Sequence, residues 1–274
     1  EIKPKLILPN VSYCEDTDEV FYNPKPHDYS QDYLTFVTEE DGTFKFSGNS
    51  VNYSVDGGET WSELESNTDT QQSSAGETIM FKAVLAPNLS SGIGKFYSTG
   101  RFIIQGNVMS LLYGDDFVGQ TDLSGKNYAF ASLFSGCSGM TSAEDLSLPA
   151  TTLANGCYGN MFYGCTSLTT APSLPATTLT NNCYQGMFQG CTGLTTAPTL
   201  PAMTLASSCY GNMFQGCTGL TTAPTLPATT LAMNCYYSMF RDCTSLTTAP
   251  TLPATTLASS CYGNMFNGCT SLIS

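Results

Sequence analysis

The residues of this chain with the most obvious chemical potential are its twelve cysteines. Thiolates can ligate zinc, attack electrophiles or pair as disulfides, and each use needs its own spacing. Ten of them instead form two columns at a constant interval: Cys157, Cys183, Cys209, Cys235 and Cys261, then Cys165, Cys191, Cys217, Cys243 and Cys269, with Cys137 extending the second. A ladder of evenly spaced cysteines with a single histidine, His27, supplies no closed tetrahedron for zinc. One histidine and no GxSxG also leave Ser-His-Asp and Cys-His arrangements short of members. The carboxylate pairs Glu39-Glu40 and Asp115-Asp116 have the residue types for glycoside hydrolysis, and the second for calcium, but adjacent acids on an acidic segment read as solvated loops. No enzymatic activity, metal or cofactor is expected.

One further motif, Ser54-Val-Asp56-Gly-Gly58-Glu-Thr60-Trp61, fits the Asp-box pattern S-x-D-x-G-x-T-W familiar from sialidases. Its physics is a hairpin in which Asp56 caps turn amides, glycine supplies positive φ and Trp61 packs beneath. That role is structural. Sialidases also grip a carboxylate with three arginines, and this chain has two, Arg101 and Arg241.

The interval that orders the cysteines orders everything after residue 147. Near-identical 26-residue lines begin at Leu148, Leu174, Leu200, Leu226 and Leu252, and a degenerate copy over 122–147 carries a two-residue insertion near Glu144 and Asp145. A unit of this length cannot bury its own apolar side until a neighbour stacks on it, so apolar residues recur as columns. Phe162, Phe188, Phe214, Phe240 and Phe266 form one core column; the Met161, Leu168 and Leu153 series form others. Both cysteine columns are assigned to the same core as small buried hydrophobes. The segment LTTAPTLP is the candidate parallel strand, kept brief or bulged by Pro172, Pro198, Pro224 and Pro250. CYGNMF should be a short helix or turn on the opposite side.

The pattern MFxGCTxLTTAPxLPATTLAxxCYxx resembles the BspA-like leucine-rich repeat surface proteins of Bacteroides-type bacteria. The resemblance covers about half the chain and implies a right-handed solenoid on an exported protein, often adhesive, with no reaction attached. Export would permit occasional disulfides, although equivalent side chains in a stacked column point the same way rather than at each other. Cys14 stands outside the columns, and VSYC is a poor lipid-attachment motif. A cell-surface or extracellular location is expected, with lipid anchoring of the precursor left open. The start at Glu1 suggests a processed form.

Upstream, YLTFVTEE, GTFKFSG, SVNYSVDGG, TIMFKAVL and KFYSTGRFIIQG alternate apolar and polar residues between Gly and Asp turns, the pattern of an antiparallel β-sandwich. The expected class is therefore mainly β with short helical turns: an extended or partly disordered 1–30, a sandwich over 31–113 and a leucine-rich repeat solenoid over 114–274.

Charge follows the same division. Residues 1–147 hold 21 of the 22 acids and 8 of the 9 bases, leaving only Arg241 and Asp242 in the repeats. No basic patch exists to displace counterions from phosphates, which excludes nucleic acid. No apolar run is long enough to span a membrane.

The strand segments barely vary, so Thr169, Thr170, Thr195, Thr196, Thr221, Thr222, Thr247 and Thr248 would line up as an uncharged lattice. A face that reads one protein would carry diverse aromatic and arginine anchors; a monotonous one suits a repetitive host or bacterial surface protein or a glycan. Adhesion or protein interaction through the solenoid is the leading expectation. Carbohydrate binding by the sandwich around Tyr53 and Trp61 is an alternative. A passive stalk, or self-association through the uncapped last repeat, is another.

Overall fold

The computed structural model describes residues 11–13, 20–22, 27–88 and 92–273, so Cys14 and most of the segment 1–30 lie outside the described residues. The chain is mainly β, with one four-residue α-helix among the described residues, α1 (Ser110–Tyr113). The first strands, β1 (Val11–Tyr13) and β2 (Val20–Tyr22), pair antiparallel with each other.

Alternation of apolar and polar residues sets the next elements. Central β3 (Leu34–Thr38) pairs antiparallel with β7 (Thr78–Lys82) on one side and β9 (Phe102–Asn107) on the other. Beyond β7 come β5 (Val51–Ser54) and then β6 (Ser62–Leu64) at the edge. A separate pair, β4 (Phe44–Phe46) with β8 (Phe96–Ser98), supplies rings to the face of this sheet. Phe36, Phe44, Phe46, Phe81, Phe96 and Phe102 meet in tilted and edge-on contacts with centroids 4.7 to 5.1 Å apart. Offset and edge-on geometry is what the ring quadrupole favours.

The sheet is not purely antiparallel. β9 also pairs parallel with β10 (Met140–Ser142) and β11 (Leu146–Ser147), completing seven strands. These two strands belong to the degenerate repeat, so hydrogen bonding runs across the boundary expected near residue 113. Phe134 of that repeat stacks on Phe96 at 5.8 Å, and one apolar core continues from the first half into the second.

Within the repeats, CYGNMF forms no helix; it is a run of overlapping turns with a strict alternation. Cys157, Gly159, Met161, Tyr163 and Cys165 donate their N–H groups back three residues within their own repeat. The residues between them, Gly156, Tyr158, Asn160, Phe162 and Gly164, donate to the next repeat, at Asn181, Cys183, Gln185, Met187 and Gln189. The five donors Tyr128, Phe130, Ser132, Phe134 and Gly136 reach across 27 residues instead of 25, which absorbs the two-residue insertion.

Every second turn needs a positive φ at its third position, as a type II turn does. The positions fall four residues apart: Gly156, Asn160 and Gly164, then Asn182, Gly186 and Gly190, and so on to Ser260, Asn264 and Gly268. This accounts for much of the repeat-to-repeat variation. Asn155-Gly156, Gly159-Asn160 and Tyr163-Gly164 mark the variable places, and the second member of each alternates among Gly, Asn, Ser and Asp, residues that tolerate the left-handed region. The threonine segments pair much less. Single parallel bridges join Ser142 to Thr170 and run Thr196 to Thr222 to Thr248, as expected where proline removes a donor from each strand.

Candidate functional site

Burial divides the repeat residues into an interior that carries no accessible chemistry and two exposed threonine rows. Phe134, Phe162, Phe188, Phe214, Phe240 and Phe266 stack face to face, successive centroids lying 5.4 to 5.9 Å apart. A second stack, not singled out from the sequence, runs Phe130, Tyr158, Tyr184, Tyr210, Tyr236 and Tyr262 at 5.6 to 5.9 Å. Its signal was the aromatic residue that follows each first-column cysteine. The hydroxyls of Tyr158, Tyr236 and Tyr262 are buried without a partner, a cost borne by packing in the stack.

The eleven described cysteines are free thiols, buried except for half-buried Cys269. Each second-column thiol donates to the carbonyl of a phenylalanine one repeat back, as Cys191 Sγ does to Phe162 at 3.0 Å and Cys217 Sγ to Phe188 at 3.0 Å. Burial pushes the pKa values of Cys165, Cys191 and Cys217 well up, and those of Cys137 and Cys183 to about 12. They are therefore held as neutral thiols, without the thiolate that nucleophilic or metal chemistry needs. Among the described residues, no three His, Cys, Asp or Glu side chains gather to hold a metal ion.

On the outside, Thr169, Thr195, Thr196, Thr221, Thr222, Thr247 and Thr248 are exposed, and Thr170 is half-buried where its Oγ1 lies 2.6 Å from Ser142 Oγ. A second row, which sequence reasoning passed over, runs along the ATT segments with bridges from Thr178 to Thr204 to Thr230. A shallow groove of about 300 Å³ beside it is bounded by Leu179, Met203 and Leu205. Parallel neighbours stand roughly 4.8 Å apart, so each row offers methyl and hydroxyl groups at a regular interval with no charge among them.

The Asp-box hairpin has the local bonding its sequence implies. Asp56 accepts from the Thr60 amide at 3.0 Å and from its hydroxyl, Ser54 Oγ donates to Asp56 at 2.7 Å, and Gly57 and Gly58 take φ of 76° and 91°. The Thr60 hydroxyl and amide, then Ser54, hold the Asp56 carboxyl well below the usual carboxylate range. Trp61 is half-buried: its indole N–H donates to Gly58 at 3.0 Å, Lys82 Nζ lies 4.1 Å from the ring centroid and the Tyr33 ring meets it edge-on at 5.0 Å. Tyr53 is half-buried on neighbouring β5, paired in register with Ser62.

One member of each acidic pair is held by contacts from distant parts of the chain. Asp115 accepts from Tyr33 at 2.6 Å and Lys82 at 2.7 Å, bonds that lower its pKa, while Glu39 accepts from Thr141 at 2.7 Å and faces Arg101 at 3.8 Å.

At the far end, residues whose counterparts are buried lie open. Leu257 is 66% exposed against 6% for Leu205, and Leu252 is 39% exposed against 2% for Leu226. The N–H groups of Ser260, Tyr262, Asn264, Phe266 and Gly268 stand where earlier repeats donate forward, so continuing the ladder requires carbonyl acceptors. Two such faces brought together would set donors against donors.

Among the described residues, no helix is long and apolar enough to cross a membrane. No protein-family model, curated protein or solved structure matches this chain.

Proposed function

We propose that this chain is a non-catalytic, exported cell-surface protein in which an N-terminal β-sandwich precedes a right-handed leucine-rich repeat solenoid of the BspA-like kind, and that it mediates adhesion through its threonine rows. The supporting observation is the recurrence of the same exposed, uncharged threonine pair, bridged from Thr196 to Thr222 to Thr248, over an interior filled by aromatic stacks and neutral thiols. Apart from Glu144 beside Thr170 and Thr196, such a surface has no fixed charge to desolvate, and it repeats at the interval of a β-ladder. A ligand that itself repeats, such as a fibrous protein or a glycan chain, can engage several repeats at once, and weak contacts then add through effective concentration.

The test is solid-phase binding of the full chain to immobilised fibrillar collagen and mucin. Saturable binding is expected, and replacement of Thr196, Thr222 and Thr248 together by lysine should abolish it with the far-UV circular dichroism unchanged. Binding no greater than that of serum albumin, or binding indifferent to the triple replacement, overturns the assignment.

A further inference from the structure

A cavity of about 700 Å³ opens where the β4–β8 pair meets the degenerate repeat, with Asn49, Lys95, Tyr97 and Ser132 on its wall. The backbone makes this hollow. Gly48 and Gly94 approach so closely that a Cβ on Gly94 would stand 2.6 Å from the Gly48 Cα, and Gly94 holds a φ of 134°. Side chains that would otherwise fill the corner are absent from both segments at once.

The cavity carries an unusual charge for this protein. In a chain of net charge −13, the described cations Lys45, Lys82, Arg101 and Arg241 each lie within 4 Å of a carboxylate. Lys95 and Lys126 do not, and of these Lys95 is on the cavity wall, its ammonium over the ring of Tyr97 at 4.7 Å from the centroid, with Tyr97 itself 45% exposed. A half-buried lysine thus lies over one face of an exposed aromatic ring, with an amide and hydroxyls nearby. The volume lies within the range of roughly 300 to 1,000 Å³ typical of small-ligand sites.

We propose that this cavity binds a sugar that bears a carboxylate, with the acid on Lys95 and the pyranose against the part of the Tyr97 ring that Lys95 leaves exposed. A single ammonium suits a singly charged carboxylate; a phosphate or nucleotide would call for a second cation or a cluster of backbone amides, and Lys95 is the one basic side chain among the described residues of the wall. Asn49, Ser47 and Ser132 supply donors and acceptors for ring hydroxyls. The site is independent of the threonine rows, so adhesion and sugar binding stand or fall separately.

Isothermal titration of the full chain with methyl β-glucuronide, methyl β-glucoside and acetate tests it. The glucuronide is expected to bind about tenfold more tightly than either control, the size of one charge-assisted hydrogen bond. Lys95→Gln should remove the preference for the acid, and Tyr97→Ala, at an exposed position that leaves the core intact, should weaken both sugars. Equal affinity for glucuronide and glucoside, acetate binding as tight as glucuronide, or a glucuronide affinity unmoved by either substitution overturns the proposal.

Discussion

Truncating two members of one aromatic stack should have unequal consequences. Phe188 is fully buried, with Phe162 at 5.4 Å on one face and Phe214 at 5.7 Å on the other. Phe266 is half-buried and has only Phe240, at 5.9 Å. Removing a buried phenylalanine costs ~3 to 5 kcal/mol, including the cavity that remains, and each ring contact accounts for ~0.5 to 1.5 kcal/mol. Phe188→Ala should therefore lose about 4 kcal/mol, and Phe266→Ala about 2 kcal/mol or less, with one ring contact and half the burial. Urea unfolding followed by far-UV circular dichroism at fixed protein concentration gives both values. Because neighbouring units are held through shared interfaces, the central truncation should also broaden the transition. Equal losses for the two variants, or a loss under about 1 kcal/mol at Phe188, would refute stacking as the source of repeat cohesion.

Three other outcomes follow from the geometry. Asn212 holds a φ of 57°, so Asn212→Ala should destabilise by about 1 kcal/mol while Asn212→Gly leaves stability equal or higher, read from the same urea curves. Asp56 has its pKa depressed in the fold by Thr60 and Ser54, so its contribution is complete above the ordinary carboxylate pKa and declines as pH falls towards its folded value. Asp56→Asn should accordingly weaken the hairpin at neutral pH, and the difference from the unsubstituted chain, followed by Trp61 fluorescence, should shrink in strong acid. For the thiols the sign is opposite: burial raises Cys137, Cys183 and Cys243 to about 12, so their contribution is present below the ordinary thiol pKa and is lost as pH rises through that range. At pH 8, peptide mapping after iodoacetamide should find half-buried Cys269 modified before Cys165, Cys191 or Cys217; simultaneous modification of all four would contradict the burial described.

The interior of the repeats was largely legible because period and residue type agree: a phenylalanine, a methionine or a cysteine that returns at a fixed interval has few places to go but a shared core. The strand cores 34–38, 44–46, 51–54, 78–82 and 102–107 were legible for the same reason, through alternation. β6 was not, since Ser62–Leu64 has two exposed polar residues and one buried leucine, too little for a pattern. Nor was the parallel seam of β9 with β10 and β11, because pairing between segments more than 30 residues apart leaves no local mark. That Lys82, 21 positions later, lies over the ring of Trp61 leaves no mark in the residues around the tryptophan. The cavity around Lys95 was unreadable in principle, being lined from four separate stretches of chain.

The forward-donating turns give the repeat stack a polarity with a genetic consequence. Each repeat passes five N–H groups ahead, and all the full repeats use the same offset of 25 residues. Deleting or duplicating one whole unit therefore leaves every remaining bond in register, and because the unit is a whole number of codons the reading frame survives too. Near-identical blocks in a gene recombine unequally, so the length of such a protein can vary between lineages as freely as its sequence. A surface built this way can change its reach without having to evolve a new fold.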